Sequence, residues 1–268
     1  MDINAIIIAV AVIGLLGLFI GLFLGIAGLK LNIKTDPKEE AVLNALPGNN
    51  CGGCGYAGCA QMAKAIAAGE APVNGCPVGG DSVGKVIAEI MGTEAGESVR
   101  TAAFVRCNGN CENAAVNYIY SGAQDCNSAF YAPGKGPKAC SYGCTGLGTC
   151  VKVCPFDAIS IIGGIAVVDS NKCKACGKCV EACPKHLIEL VPVDSKYRVA
   201  CFSRDKGPVA MKNCKVSCIA CGLCVKNCPN EAVTVENNIA SIDYEKCRGC
   251  GICKEKCPKK AIIECNEE

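Results

Sequence analysis

Cysteine is the residue that could do chemistry in this sequence, occupying 26 of 268 positions, a fraction that ordinary intracellular chains do not approach. The thiols are grouped. Cys173, Cys176 and Cys179 are spaced by two residues and followed by Cys183-Pro184. Cys218, Cys221, Cys224 with Cys228-Pro229 repeat the pattern, as do Cys247, Cys250, Cys253 with Cys257-Pro258. Cys140, Cys144, Cys150 with Cys154-Pro155 form a wider variant. Three cysteines on one tight loop can point at a cubane that a fourth closes, and the cysteine before proline ligates the other cluster of a pair. That rule predicts four [4Fe-4S] sets: Cys140, Cys144, Cys150 with Cys183; Cys154 with Cys173, Cys176, Cys179; Cys218, Cys221, Cys224 with Cys257; and Cys228 with Cys247, Cys250, Cys253. The first is the least regular. Zinc would need only two separated CxxC knuckles, and disulfides would need an oxidising compartment.

Cys51, Cys54, Cys59 and Cys76 offer four more ligands around the glycine-rich CGGCGYAGC segment, where zinc rivals iron–sulfur on spacing alone. The expectation is therefore five clusters. A sixth would draw on Cys107, Cys111 and Cys126, with Cys201 preferred to Cys214 as fourth ligand because Cys214 lies close to the next motif. The alternative leaves these as unligated thiols. Cys265 is read as no ligand and His186 as a solvent-facing side chain. No GxGxxG follows a strand and no P-loop exists, so no nicotinamide, flavin or nucleotide site is expected, nor a nucleic-acid partner. The formal charge of +2 treats thiols as neutral, and each oxidised four-thiolate cubane would add about −2.

The elements that must position these thiols begin with residues 3 to 29, which carry no charge and are long enough to cross a hydrocarbon core. A signal peptide has a shorter apolar run and a basic start. Lys30, Lys34 and Lys38 follow the run and only Asp2 precedes it, so the positive-inside rule places the rest in the cytoplasm, a compartment that favours metal ligation over disulfides. Gly14, Gly17, Gly21, Gly25 and Gly28 suit close approach by another helix. Asp36-Pro37 reads as a helix start, and further helices are expected over 60–69 and 81–91. The segments AISIIGGIAVVD and AVTVENNIASID read as strand pairs, each between two cysteine motifs, and LIELVPV and YRVACF as strands of a connector. The expected fold is α+β: a transmembrane anchor over 1–30, a helical [4Fe-4S] module over 31–95, a linker region over 96–139, and tandem bacterial-ferredoxin-like units over 140–200 and 201–268.

The order of these motifs closely resembles the B subunit of the Rnf complex, an ion-translocating ferredoxin:NAD oxidoreductase. One apolar helix is followed by CGGCGYAGC with a distant Cys-Pro, then CSYGCTGLGTCVKVCPFDAI and further ferredoxin motifs. The resemblance covers nearly the whole chain. It implies a single-pass subunit of a redox-driven ion translocase at the cytoplasmic membrane. Reduced ferredoxin would donate electrons near the distal units, which would pass them through the Cys51 module to membrane subunits, with other membrane and peripheral Rnf subunits as partners. A polyferredoxin subunit of another membrane redox enzyme, such as a hydrogenase, is the alternative. The apolar run holds no ionisable residue, which leaves ion translocation to partners.

Overall fold

The computed structural model describes residues 3–30, 36–96 and 99–265. Helix α1, Ile3–Lys30, spans 28 residues, about 42 Å at 1.5 Å per residue. By length and composition it is long and apolar enough to cross a membrane. Its large apolar side chains, Leu15, Phe19 and Phe23 among them, are exposed. Asp2 and Lys34, used for the expected orientation, lie outside the described residues.

Helix α2 (Pro37–Ala45) starts where Asp36 accepts the Lys38 N–H at 2.9 Å and proline occupies the first turn, positions whose amides have no intrahelical partner. Helices α3 (Cys59–Ala67) and α4 (Gly80–Met91) follow, α4 ending at Gly92 with φ +70. Val42, Leu46, Met62, Ile66 and Ile87 form their common core, each worth roughly 1.5–3 kcal/mol of burial. This small core packs directly against Cys54, Cys59 and Cys76.

Among the described residues, eight strands form four antiparallel pairs. β2 (Ile159–Ile162) and β3 (Ile165–Val168) turn through Gly163 and Gly164, while β6 (Val233–Glu236) and β7 (Ile239–Ile242) turn through Asn237 and Asn238. All four turn residues have positive φ, as the tightest hairpins require. β1 (Thr101–Val105) pairs with β4 (Ile188–Pro192), and β5 (Tyr197–Val199) with β8 (Ile262–Glu264). These pairings differ from the boundaries expected at residues 140 and 201. β1 comes from the expected linker yet completes the sheet of the first ferredoxin motifs, and β5 completes that of the second. The apolar alternation of TAAFV is too short to stand out before its partner, 83 or more residues away, is known.

Each half has its own core, with Val105, Ile159, Ile165 and Leu187 in one and Val199, Val233, Ile239 and Ile262 in the other. Phe104 and Val191 meet Ala200, Tyr244 and Ile263 between them. Arg106 reinforces this junction by pairing with Glu189 at 3.3 Å and donating to the Ala240 carbonyl at 3.4 Å.

Candidate metal centres

A fourfold backbone signature fixes the register of the ferredoxin-type motifs. Cys144, Cys173, Cys218 and Cys247 are each followed two residues on by a left-handed residue (Gly146, Ala175, Ala220, Gly249) and four residues on by another (Gly148, Gly177, Gly222, Gly251). The second glycine opens a short helical turn that carries Cys150, Cys179, Cys224 or Cys253. Three residues after each Cys-Pro cysteine, Asp157, His186, Glu231 and Lys260 adopt φ of +49 to +51. This bend returns the next amide to the sulfur: Leu187 donates to Cys183 Sγ at 3.5 Å, Ala232 to Cys228 Sγ and Ala261 to Cys257 Sγ at 3.3 Å. His186 is exposed.

In this register the middle cysteine of the other motifs, Cys176, Cys221 or Cys250, corresponds to Leu147. The structure fills that vacancy from the preceding loop. Cys126 lines one pocket with Cys144, Cys150 and Cys183. Its amide donates to Thr149 Oγ1 at 2.8 Å, and the Thr149 hydroxyl donates to Asp125 Oδ1 at 2.8 Å, which pins the loop to the turn bearing Cys150. The Ser128 N–H and then the Thr149 hydroxyl hold the Asp125 carboxyl below its usual value. The pocket differs from the expected set of Cys140, Cys144, Cys150 and Cys183 in one member: Cys126 stands beside Cys144, Cys150 and Cys183, and Cys140 does not line it.

Cys140 instead lines a second pocket with Cys107, Cys201 and Cys214. Cys107 and Cys201 each lie two residues beyond a strand end, β1 or β5, and Cys140 and Cys214 each precede a motif's first cysteine by four residues. Each half therefore contributes an equivalent pair to a site at their junction. An antiparallel bridge between Ala114 and Cys214 and the Lys215 N–H donating to the Asn113 carbonyl at 2.8 Å hold the two halves in register there. Cys214, which its proximity to the next motif disfavours in the sequence, joins Cys201 here. Cys111, expected among these ligands, is exposed and its Sγ lies against Gly164, where a Cβ would come within 2.7 Å of the sulfur.

The remaining cysteines also fall into groups. Cys154, Cys173, Cys176 and Cys179 line one pocket, and Cys218, Cys221, Cys224 and Cys257 another. Cys253 is electrostatically linked to Cys247, Cys250 and Cys228. Cys76 feels the thiols of Cys54 and Cys51, while Cys59, at the head of α3, is set by its amide donating to Asn50 Oδ1 at 2.8 Å. These tetrads leave out only Cys111 and Cys265. The Cys265 thiol is pushed up by burial against the pull of Arg198.

Burial, then neighbouring thiols, raise Cys150 and Cys179 to about 12. Burial raises Cys201 to about 12 and Cys224 to about 11. Thiols so placed stay protonated at neutral pH unless a strongly cationic group displaces their protons. Among the described residues, no three Cys, His, Asp or Glu side chains converge closely enough for a single metal ion. A tetrahedral zinc draws its sulfurs to about 2.3 Å from one point. Sulfur donors spread around a pocket suit a polynuclear iron–sulfur core, and amides donating to those sulfurs stabilise the anionic form.

The tetrads are also contiguous. The Cys218 N–H donates to Cys201 Sγ and the Cys144 N–H to Cys107 Sγ, both at 3.3 Å. Cys150 is linked electrostatically to Cys179, and Cys176 to Cys51. Such a fold, with an apolar helix ahead of serially adjacent cysteine tetrads, defines an iron–sulfur protein of the polyferredoxin class.

Comparison with known proteins supports that class and narrows it. Models of the 4Fe-4S dicluster domain match residues 134–184 and 217–261, and an Fe-S cluster model matches 46–78. The chain is 50% identical over 247 residues to the B subunit of the Na(+)-translocating ferredoxin:NAD(+) oxidoreductase complex of Acetobacterium woodii, covering 91% of this chain and 74% of that protein. It is 44% identical to the B subunit of the proton-translocating ferredoxin:NAD(+) oxidoreductase complex of Clostridium ljungdahlii, over 91% and 86% of the two chains. With the B subunit of the ion-translocating oxidoreductase complex of Methanosarcina acetivorans it shares 43% identity over 89% and 90%. The chain belongs to the family of Rnf complex B subunits.

Proposed function

We propose that this chain is the electron-relay subunit of a membrane-bound ferredoxin:NAD oxidoreductase complex, holding six [4Fe-4S] clusters in its six cysteine tetrads. Helix α1 is its single membrane span, with the soluble part in the cytoplasm, and two tandem ferredoxin-like units follow the helical module. Clusters bound at the tetrads supply one-electron, low-potential chemistry. The protein's part is to set their order and surroundings.

The observation that carries this reading is the contiguity of the sites. From the C-terminal end the order runs through the Cys247 tetrad, the Cys218 tetrad, the junction tetrad of Cys107, Cys140, Cys201 and Cys214, the Cys126 tetrad, the Cys154 tetrad and the Cys51 tetrad. Cys221 and Cys250, at the distal end, are exposed and suit electron entry. Lys256, Lys259 and Lys260 nearby give that end a positive rim that attracts an anionic donor, in line with reduced ferredoxin. The Cys51 tetrad lies next in the chain to α1 and suits electron exit to membrane subunits. Two relatives named above differ in the ion they move, Na⁺ or H⁺, and α1 carries no ionisable group across its apolar span, so ion movement is assigned to partner subunits.

Anaerobic determination of iron, acid-labile sulfide and zinc on the full-length protein, followed by reduction with ferredoxin, tests this reading. The expected result is about 24 iron per chain without zinc, all reducible. Iron that ferredoxin does not reduce, or zinc in place of iron at the Cys51 tetrad, breaks the path.

A further inference from the structure

Lys138 is buried and Lys185 half-buried, each beside a group of cysteines. Lys138 is only 7% exposed, and its ammonium donates to the carbonyls of Gly109 at 2.7 Å and Gly164 at 2.9 Å. Lys185 donates to the Gly143 carbonyl at 2.7 Å. Among the described residues the ion pairs are Arg106–Glu189, Lys172–Asp169, Lys246–Asp243 and Lys254–Glu264, and neither lysine takes part. The Asp205 carboxylate, which Cys140 feels, accepts from Ser203 Oγ and Asn213 Nδ2 and forms no ion pair with either lysine. Burying an ammonium against carbonyls alone is costly unless an anion repays its lost hydration.

What these cations do face is sulfur. Lys138 lines the junction pocket with Cys107, Cys140, Cys201 and Cys214. Lys185 lines the adjoining pocket with Cys126, Cys144, Cys150 and Cys183, and its carbonyl partner Gly143 belongs to the junction pocket. Lys174, beside the Cys154 tetrad, is exposed, where water screens its charge, and Lys259, half-buried at the rim of the Cys218 tetrad, is felt by the junction thiol Cys214.

We propose that Lys138 and Lys185 are built-in counter-cations that raise the reduction potential of the junction site above those of the ferredoxin-type sites on either side. This rests on the reading that the tetrads hold [4Fe-4S] clusters. One-electron reduction takes a four-thiolate cubane from about −2 to −3 while the adjacent donor site loses that electron. A fixed positive charge at low dielectric favours the more negative member of the pair. An electron arriving from either unit therefore settles at the junction, which stores it between the two halves of the relay. Lys138 acts mainly on the junction site, and Lys185 is shared between that site and the Cys126 site.

The test is an EPR-monitored redox titration of the full-length protein in detergent, with iron and sulfide measured on every sample, for Lys138→Met, Lys138→Arg and Lys185→Met. At unchanged iron content, Lys138→Met is expected to weaken reduction of one cluster about tenfold, or about 59 mV for one electron. Lys185→Met should shift two clusters in the same direction, and Lys138→Arg should keep the original potentials. Unchanged potentials in both methionine variants at full iron content overturn the proposal. If Lys138→Met loses a cluster, Lys185→Met decides alone by the same criterion. Wild-type protein holding only about 20 iron overturns instead the six-cluster reading beneath it.

Discussion

The backbone amide of Cys144 donates to Cys107 Sγ at 3.3 Å. In the other half of the molecule the Cys218 amide donates to Cys201 Sγ at the same distance. The two contacts are equivalent by position, since Cys144 and Cys218 each open a ferredoxin-type motif while Cys107 and Cys201 each follow the strand that begins a unit. The junction site is therefore one that neither half completes: each supplies two thiols, and docking of the halves makes four. Cooperative loss follows, because disturbing the docking removes ligands in pairs.

Docking can be disturbed without touching a cysteine. Arg106 pairs with Glu189 within its own half and reaches the Ala240 carbonyl in the other. Replacing Arg106 by Leu removes that reach and leaves the carbonyl without this donor, at a cost of about 1–3 kcal/mol. The expected result is loss of about four iron per chain from the junction tetrad, with the Cys218 and Cys154 tetrads retained. Iron analysis with Mössbauer quantification reads it, and full iron content would contradict the two-halves account.

The Leu147 position makes a sharper prediction. Cys126→Ala should lose one cluster, about four iron, because its tetrad keeps only Cys144, Cys150 and Cys183. Adding Leu147→Cys should restore it, since Leu147 occupies the slot that Cys176, Cys221 and Cys250 fill in the other motifs. Thr149→Val, which cuts the hydrogen bonds tying the Cys126 loop down, should weaken the same cluster by about 1–3 kcal/mol, read as faster iron loss to a chelator. A double variant that stays iron-depleted would show that the register is misassigned.

Much of this was legible in the sequence. The regular CxxCxxC motifs announce themselves because one tight loop holds all three thiols, so spacing and geometry are the same information; the hairpins declare themselves through Gly163-Gly164 and Asn237-Asn238. The Cys126 and junction tetrads were not legible by spacing, because their ligands come from a loop of more than thirty residues and from strand ends brought together only when β1 finds β4 and β5 finds β8. One local signal was present. Cys144, Gly146, Gly148 and Cys150 keep the spacing of Cys218, Ala220, Gly222 and Cys224, and that alignment alone sets Cys140 outside its motif.

The raised thiols give a pH dependence with a definite sign. In the iron-free chain burial lifts Cys150, Cys179 and Cys201 to about 12, so between pH 6.5 and 8 (about neutral) these thiols carry protons that iron must displace. Proton release on reconstitution, and tighter iron retention against a chelator as pH rises, are expected. The raised values also predict that folded iron-free protein, where it forms, keeps its stability below the unfolded thiol value near 8.5 and loses it as pH climbs toward 12. Iron retention that is flat or falls with pH over the neutral range would contradict this.

The last prediction concerns the step from the first ferredoxin-like unit to the helical module. Gly53, between Cys51 and Cys54, packs so closely on the Cys176 backbone that a Cβ would lie 2.9 Å from the Cys176 carbonyl oxygen and 3.0 Å from its Cα. Backbone cannot give way as a flexible side chain can, so Gly53→Ala must push the CGGC loop off the Cys176 loop, at about 1–3 kcal/mol. Both tetrads keep their thiols, so iron content should stay at the wild-type level while electron transfer from the Cys154 tetrad to the Cys51 tetrad slows. Rapid-freeze EPR after mixing with reduced ferredoxin separates the two readouts: the distal clusters should reduce at the normal rate and the Cys51 cluster late. Simultaneous reduction in the variant would mean that electrons reach the Cys51 tetrad by a route other than the Gly53–Cys176 contact.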